Sequence, residues 1–501
     1  MAVSSAGSHL MLGCSKVPPD PEFVRFLDES GIVGVIWVGR EVGSAERLAE
    51  ANRLLRASVS HPLLIALDHE GGIVTRLGQG VTIFPGNRAL GEARDPGLAF
   101  EQGRVMGGDL RRMGVDINLA PVLDLLVSGQ PAPGITIRSF GTDVEVVSSL
   151  GLAFLQGLES VGVRSCVKHF PGIGGATLDP HFDLPVVDMD VDTLWKKHIE
   201  PFRVAIQGGC SSVMTSHVVY SGFTDEGESL PATFSRSIVE RVLRDELGFD
   251  GPVLSDDLRM GALDGMGTFS DRVIRAVRSG HDLLLVCDDL SRQQEAYRAL
   301  VQAEEGGVLD RDRASASRRR VQKLFRESVP EFGSSPSSAE RLVETIARKA
   351  VRVVRDPAGL LPISGATRSR PCVLYPDLRD RPELTPLEMG IRDGSVLDSV
   401  SRTDFLLYPT GGEVEMWYEA NRDTLDSASM ILCFVYDWER ADGMDRLLNQ
   451  RVFSSPAPTV VVLTRHPEDL DRLPEGVAVV QAYGFLRESL LAAWDQVFGE
   501  A

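Results

Sequence analysis

The chain has 501 residues, of which 43% are apolar and 25% are charged. These values are typical of a folded globular protein, and the length predicts two or three domains rather than one. Acidic residues outnumber basic ones by 71 to 52, and the net charge of −19 argues against a nucleic-acid partner, which would need a basic surface. No stretch reaches the ~18 consecutive apolar residues of a membrane span.

The first residues and the cysteines bear on the compartment. The letters "MLGC" at 11–14 faintly resemble a lipoprotein cleavage site, but no basic region precedes them and the apolar run is shorter than that of a signal peptide. The six cysteines are scattered and none has the spacing of a metal site: Cys14, Cys166, Cys210, Cys287, Cys372 and Cys433. We therefore predict free thiols in a reducing compartment, and hence a cytoplasmic protein without a metal.

Short apolar runs alternate with helical patterns over the first 300 residues. The predicted strands lie in 31–39, 62–72, 115–125, 163–172, 210–220, 251–261 and 281–289. Helical stretches such as 44–59 and 236–249 lie between them. Apolar strands that alternate with amphipathic helices indicate a parallel sheet covered by helices. Seven or eight such units favour a (β/α)8 TIM-type barrel over residues 1–327.

A second domain is predicted after the barrel. A last barrel helix over 313–325 is followed by 328–338, where Pro, Gly and Ser predominate, as in a linker. A helix over 339–356 then opens a region, 339–501, with strand candidates at 372–376, 404–409, 430–437, 459–467 and 477–483. This pattern is typical of a smaller α/β sandwich.

Polar side chains follow five of the predicted barrel strands. A barrel brings its active groups together at the carboxyl ends of the strands, so these residues predict a site. Any one of them is explained as well by helix capping or a turn, but capping explains five strands together poorly. The residues are Asp68 and Glu70, Asp124, Lys168 and His169, Ser216 and His217, and Asp256 and Asp257.

Two of these positions predict bond-breaking chemistry. A carboxylate fixed at a strand end, such as Asp256, is suited to attack a sugar anomeric carbon, and its neighbour Asp257 should face the other way because side chains alternate along a strand. Asp179 and His181 lie in the loop after the strand over 163–172. There the carboxylate would fix the tautomer of an imidazole that exchanges protons near neutral pH, although an ordinary turn around Pro180 explains the letters "DPH" equally well.

Five charged or polar side chains are candidate substrate clamps, because a hydroxyl-rich ligand needs convergent donors and acceptors. For two of them, Asp68 and Arg76, a mutual ion pair is the simpler interpretation, and it is compatible with ligand contact. The five are Lys168, His169, Arg138, Asp68 and Arg76.

The ordered motifs resemble glycoside hydrolase family 3, and within it the bacterial β-N-acetylglucosaminidases. They are "DHEGGIVTRL" (68–77), "NLAPVLDL" (118–125), "IRSFG" (137–141), "KHFPG" (168–172), "DPHFDLP" (179–185), "VMTSHV" (213–218) and "VLSDDLRMGAL" (253–263). The resemblance extends over residues 10 to 327 and continues more faintly into the second domain.

This resemblance implies a role for each candidate. Asp256 would be the catalytic nucleophile, and Asp179 with His181 would be the acid/base pair of a loop that closes over the sugar. The residues implied in binding the N-acetylglucosamine are Lys168, His169, Arg138, Arg76 and Asp68, with Met214, Ser216 and His217 on a further strand of the pocket. The expected function is retaining removal of terminal β-N-acetylglucosamine from small carbohydrates such as muropeptide fragments of peptidoglycan, with no metal or organic cofactor.

One departure from the family pattern keeps alternatives open. Family members read "KHFPGHGD", whereas this chain has Ile173 and Gly175 at the second His and the Asp. A catalytically degenerate sugar-binding protein therefore remains an alternative. A phosphorylase is another, because an imidazole base repels an incoming phosphate less than a carboxylate would, and a β-glucosidase is a weaker one. If His181 were not the proton donor, Glu70 and Asp124 would be the next candidates.

Overall fold

The computed structural model describes residues 5–39, 42–130, 132–225, 227–325, 336–378, 404–409, 414–436, 448 and 452–499. The chain divides into two compact units. The first comprises Met1–Glu70, Val74–Thr82 and Arg94–Ala339, and the second Gly71–Ile73, Ile83–Ala93 and Glu340–Ala501. Most of the predicted linker 328–338 lies outside the described residues, so that boundary remains a prediction.

The first unit is a parallel barrel of eight strands. Its strands are β1 (Leu10–Cys14), β2 (Gly34–Trp37), β3 (Leu64–Leu67), β4 (Ile117–Asn118), β5 (Arg164–Phe170), β6 (Ser212–Thr215), β7 (Val253–Leu254) and β8 (Leu284–Val286). Their order is β8-β1-β2-β3-β4-β5-β6-β7. A parallel bridge between Leu254 of β7 and Leu283, which directly precedes β8, connects the two ends of this order. The predicted TIM-type barrel is confirmed.

Seven of the eight strands lie in the predicted runs, and β1 was missed. All five residues of Leu10–Cys14 are buried, and Met11 pairs with Gly34 of β2. A barrel strand is covered on both faces, so it appears in the sequence as a short apolar run without alternation. The apolar core of a leader peptide has the same appearance, so the sequence alone does not distinguish the two.

Helices cover the barrel strands. Polar residues cap the N-termini of several of them; for example, Ser44 accepts from the Arg47 N–H and Asp143 from the Glu145 N–H. The α-helices of this unit span Pro21–Ser30, Ala45–Ser58, Pro96–Arg112, Val144–Ser160, Glu200–Gln207, Phe269–Arg278, Leu290–Glu305 and Arg311–Gln322, and a helix with π-type hydrogen bonds spans Ser237–Glu246.

The second unit is built on a six-stranded sheet. Its strands are β9 (Arg352–Arg355), β10 (Pro371–Asp377), β11 (Asp404–Pro409), β12 (Met430–Val435), β13 (Thr459–Leu463) and β14 (Ala478–Gln481). They lie in the order β9-β14-β13-β12-β10-β11, and only β9 runs antiparallel to its neighbour. Apolar clusters cover the sheet, and helices span Asn87–Ala93, Pro336–Ala350, Val414–Ser427 and Arg487–Phe498. The predicted α/β sandwich is confirmed.

One predicted element of this unit is wrong. The helix expected over 339–356 ends at Ala350, and Arg352–Arg355 is a strand that pairs with β14. The letters "RVVR" place two β-branched residues together, which favours a strand once an edge is available to pair with. Among the described residues no helix is long and apolar enough to cross a membrane. All six cysteines are free, and five of them are buried.

Candidate active site

The carboxyl ends of β3 and β5 are joined by a buried ionic network. The Lys168 ammonium lies 2.7 Å from Asp68 Oδ1 and 2.6 Å from Glu70 Oε1. The Arg138 guanidinium donates to both carboxylate oxygens of Glu70, over 2.8 and 2.9 Å. Arg76 Nη2 lies 3.7 Å from Asp68 Oδ2, so the ion pair expected between Asp68 and Arg76 is present but long. The structure thus brings four of the five predicted clamps into one network.

Glu70 and Lys168 are held in their charged forms. Burial opposes the charge on Glu70, but Arg138 and Lys168 outweigh it and keep the pKa of Glu70 well below its usual range. Burial also opposes the charge on Lys168, yet Asp68 and Glu70 raise the pKa of this ammonium. A carboxylate that stays ionised has no proton to give near neutral pH. Glu70 therefore serves to fix Arg138 and Lys168 and is unsuited to be a substitute proton donor.

Asp124 ties the end of β5 to the loop that follows it. Its side chain is fully buried. Oδ2 lies 2.7 Å from His169 Nδ1, and Oδ1 accepts from the His169 and Ile173 N–H groups over 3.3 and 2.8 Å. With both oxygens occupied by donors, Asp124 is an anchor for the fifth clamp, His169. It too is unsuited to donate a proton to a ligand.

The two departures from the family pattern lie on this anchored segment. Ile173 is buried, and its N–H makes the bond to Asp124, so its backbone fixes the loop here. A side chain at Gly175 would meet the methyl group of Met189, 2.3 Å from the position of Cβ. At Gly174 a Cβ would lie 1.9 Å from the Leu125 carbonyl oxygen, so only glycine fits. Apolar packing and backbone hydrogen bonds therefore support the loop where family members have polar side chains.

Hydrogen bonds to its backbone carbonyl groups hold the loop at its beginning and in its middle. The Tyr220 hydroxyl, which is buried, donates to the Gly172 carbonyl over 3.0 Å. Further along, the Ala262 and Gly261 N–H groups donate to the carbonyls of Pro180 and His181, each over 3.1 Å. Gly261 follows β7, so the loop is docked against the strand end that carries Asp256.

The predicted acid–imidazole pair is formed on this docked loop. His181 Nδ1 lies 2.7 Å from Asp179 Oδ1, and the same oxygen accepts from the His181 N–H over 2.9 Å. The His181 side chain is 59% exposed, so Nε2 is accessible to a ligand. Because Nδ1–H donates to the carboxylate, Nε2 can carry or receive the exchangeable proton.

Asp256 and Asp257 differ in environment, as alternation along the strand predicts. Burial opposes ionisation of Asp256, but His217, His169 and a hydrogen bond from the Asp257 N–H lower its pKa below the usual range. Asp257 instead turns toward β8, where its Oδ1 accepts from the Cys287 N–H over 3.1 Å. Burial raises the pKa of Asp257 to about 6.

Of the remaining predicted residues, Ser216 and His217 line the site and Met214 lies beneath it. His217 Nε2 donates to the Asp257 carbonyl over 2.8 Å, and Nδ1 lies 2.5 Å from Thr233 Oγ1. Burial lowers the pKa of His217, and His169 and His181 lower it further, so the imidazole of the loop lies within electrostatic range of this strand end. Ser216 Oγ lies 3.0 Å from the Tyr220 hydroxyl, whereas Met214 is part of the apolar barrel interior.

Sequence reasoning missed the residues that act through their backbones or lie behind the site. Tyr220 hydrogen-bonds to Ser216 and Thr233 to His217 from behind the site, and the Gly261 N–H donates to the loop. Nothing in the letters distinguishes these residues from ordinary core or turn residues. Among the described residues, no group of three or more His, Cys, Asp or Glu side chains is arranged to hold a metal ion.

Cleavage of a glycosidic bond requires a carboxylate that stays ionised and a group that shuttles a proton, both at an open pocket. The mouth of this (β/α)8 barrel brings together candidates for both, Asp256 and His181, and the fold and the candidate site are those of a glycoside hydrolase. The family model described as "Glycosyl hydrolase family 3 N terminal domain" matches residues 11–324. The chain belongs to glycoside hydrolase family 3.

Individual relatives agree with this assignment. A beta-hexosaminidase from Xylella fastidiosa (strain 9a5c) is 36% identical over 284 residues, which are 56% of this chain and 83% of the relative. A beta-hexosaminidase from Thiobacillus denitrificans is 38% identical over 272 residues, or 53% and 74% of the two chains. A solved structure, a glycoside hydrolase family 3 beta-N-acetylglucosaminidase from Paenibacillus sp. str. FPU-7, superposes with a TM-score of 0.90 at 29% identity and covers 100% of this chain and 97% of its own.

Three buried histidines make the stability of the protein pH-dependent. Burial lowers the pKa of His69 and of His198 to about 4, and that of His281 to about 3, from 6.5. The unfolded chain takes up protons near pH 6.5 that the folded protein does not, so the free energy of unfolding should fall as the pH decreases from 7.5 to 5. The lowered pKa values of the buried His9 and His217 act in the same direction, whereas the raised pKa values of three aspartates act in the opposite one: Asp116, Asp257 and Asp495. Thermal unfolding midpoints across this range measure the effect.

The matched variant for this prediction is His281→Gln. The neutral His281 donates from Nδ1 to the Ala276 carbonyl and accepts at Nε2 from Thr215 Oγ1 over 2.7 Å. The variant should unfold at a lower temperature but with a shallower dependence on pH, because one of the three groups is gone. A midpoint that rises between pH 7.5 and pH 5 would contradict the assignment of neutral, buried imidazoles.

Proposed function

We propose that the protein is a retaining exo-β-N-acetylglucosaminidase that cleaves terminal β-linked N-acetylglucosamine through a covalent intermediate on Asp256. The observation that carries this proposal is the pairing of His181 with Asp179 on a loop docked against the strand end of Asp256. Relatives named beta-hexosaminidase and the Paenibacillus beta-N-acetylglucosaminidase support the choice of sugar.

In the first step, an Asp256 carboxylate oxygen attacks C1 of the sugar and the bond from C1 to the leaving oxygen breaks. The lowered pKa of Asp256 keeps this carboxylate ionised and available as a nucleophile. The leaving oxygen takes the proton from His181 Nε2, while Nδ1 keeps its proton against Asp179. The positive charge that the imidazolium carries before this transfer is balanced by a carboxylate 2.7 Å away, and the ring is neutral once the proton has left.

In the second step, a water molecule attacks C1 and the bond from C1 to Asp256 breaks. The neutral His181 now accepts the proton of this water at Nε2, so the same side chain serves first as acid and then as base. Two displacements at C1 restore the β configuration in the released sugar. The network of Lys168 with Asp68, and Arg138 with Glu70, supplies fixed donors and acceptors for the hydroxyl groups.

The natural substrates we propose are N-acetylglucosaminides from peptidoglycan fragments such as muropeptides, in the cytoplasm. Six free cysteines agree with a reducing compartment. Phosphorolysis is the second candidate, and the imidazole favours it because a neutral base repels an incoming phosphate less than a carboxylate would. Turnover measured with and without phosphate separates the two reactions: hydrolysis is unchanged, whereas phosphorolysis requires phosphate and releases N-acetylglucosamine 1-phosphate.

Asp256→Ala should lower turnover of an aryl β-N-acetylglucosaminide by a factor on the order of 10⁴ or more, because a covalent mechanism loses its nucleophile. The fold should persist, since Asp256 is a partly exposed side chain at the end of a strand. The readouts are kcat and the thermal unfolding midpoint.

The adjacent aspartate provides the matched control. Asp257→Asn keeps an oxygen that can accept from the Cys287 N–H, and Asp257 faces β8. This variant should keep most of the turnover. If Asp257→Asn were the inactive protein and Asp256→Ala the active one, the two assignments would have to be exchanged.

His181→Ala should distinguish proton transfer from binding. Poor leaving groups, as in disaccharides, should lose about 10²–10⁴-fold in kcat/KM, because they need the acid, whereas a dinitrophenyl glycoside should form the covalent intermediate nearly as fast as before. Its hydrolysis lacks the base and becomes slow. The expected signature is a burst of dinitrophenolate followed by slow turnover, measured by stopped-flow absorbance.

The control for this experiment is Asp179→Asn, which leaves the imidazole in place but weakens its orientation. It should reduce activity less than His181→Ala does, because the imidazole that exchanges the proton is still present and only the hydrogen bond that orients it is weakened. Equal losses on both substrate classes without a burst would mean that His181 does not transfer the proton.

A further inference from the structure

The loop that carries His181 also carries an exposed apolar patch. Among the described residues, eight large apolar side chains are exposed, and four of them lie within residues 178–191: Leu178, Phe182, Val186 and Val191. Phe182 is the most exposed of all eight, at 76%. Exposed apolar side chains concentrated in one short segment are candidates for contact with an apolar ligand.

Hydrogen bonds fix the backbone around Phe182. Its N–H donates to the Asp179 carbonyl over 3.0 Å, and the preceding carbonyl of His181 accepts from the Gly261 N–H. A Cβ at Gly261 would lie 2.8 Å from the Phe182 carbonyl oxygen, so the two segments are in close contact there. The backbone is held on both sides while the ring projects into solvent. This is the arrangement of a contact surface for a ligand rather than of a loose turn.

The ring also lies beside the imidazole that we assign to proton transfer. The centroids of the His181 and Phe182 rings are 6.5 Å apart, and their planes are inclined by 54°. In the proposed reaction the leaving oxygen lies at His181 Nε2, and the next sugar begins at that oxygen. An aglycone sugar therefore falls within reach of the Phe182 face.

We infer that Phe182 is the aglycone-binding platform of this enzyme and stacks against the C–H face of the first sugar ring beyond the cleaved bond. The negative face of the aromatic ring attracts the partly positive C–H hydrogens of a pyranose, and the stack removes apolar surface from water. This inference rests on the proposed function. It adds a residue that selects for substrates with a sugar ring in the aglycone.

The test compares substrates that differ only in the aglycone. N-acetyl-β-glucosaminyl fluoride has no aglycone ring, chitobiose (two β-1,4-linked N-acetylglucosamines) has a neutral one, and N-acetylglucosaminyl-β-1,4-N-acetylmuramic acid has an anionic one. Phe182→Ala should lower kcat/KM about 10-fold on the disaccharides, mainly through KM, and change it less than twofold on the fluoride. Phe182→Tyr should restore the disaccharide rates. A larger loss on one disaccharide than on the other tells which ring the platform fits better.

Leu54→Ala is the control, since Leu54 is an exposed apolar residue, 41% accessible, on a helix outside the loop. It should leave all three substrates unchanged. Equal losses on the fluoride and the disaccharides in Phe182→Ala would overturn the inference, because Phe182 would then act by positioning His181. Unchanged disaccharide kinetics together with a changed oligomeric state in solution would assign the patch to a protein contact instead. Failure of the proposed function looks different, because the unmodified enzyme would then cleave none of the three substrates.

Discussion

The arrangement of the site depends on the buried carboxylate of Asp124. A carboxylate without water around it is stable only if donors satisfy it, and this one takes donors from His169 and from the Ile173 N–H. These bonds fix the end of β5 and the first residues of the loop at the same time. From that point Tyr220 holds Gly172 and the backbone of Gly261 holds His181, so the imidazole is docked against the strand end of Asp256.

The charges of the site are distributed so that each group keeps the protonation state its role requires. Glu70 forms ion pairs with Arg138 and Lys168, and the charges of these two residues in turn keep the pKa of Glu70 low. Asp256 and Asp257 are neighbours in the chain, yet His217 and His169 lower the pKa of the first, while burial raises that of the second to about 6. Two neighbouring carboxyl groups can thus differ in protonation because their environments differ.

Much of this site could be predicted because the barrel topology determines where the polar side chains at the strand ends lie. Parallel strands end at one rim, so Lys168 and Asp256 had to come together there once the strands were identified. Asp179 and His181 are two residues apart, which is enough for a local hydrogen bond. The identity of the sugar rested on the family resemblance and on relatives, since no spacing in the sequence specifies an N-acetyl group.

The parts that were not predicted depend on backbone groups and on burial. The bond from the Ile173 N–H to Asp124 exists whatever side chain stands at 173, which is why the departure from the family pattern gave no indication that the loop would still be fixed. Tyr220 and Gly261 act through one hydroxyl and one N–H group. The strand β1 was not predicted because a buried strand and a leader peptide have similar apolar sequences. The strand Arg352–Arg355 was predicted as helix because pairing with β14 outweighs the helical propensity of these residues.

The central claim, that Asp256 forms the covalent intermediate, is tested most directly by trapping that intermediate. A 5-fluoro analogue of N-acetylglucosaminyl fluoride forms the glycosyl-enzyme but hydrolyses slowly, because the ring fluorine destabilises the oxocarbenium-like transition state. After digestion, mass spectrometry should find one 5-fluoro-N-acetylhexosaminyl group on the peptide that contains Asp256, with fragmentation placing it on this residue. A label on Asp257 or elsewhere, or continued rapid turnover of the analogue without any labelled peptide, would contradict the account.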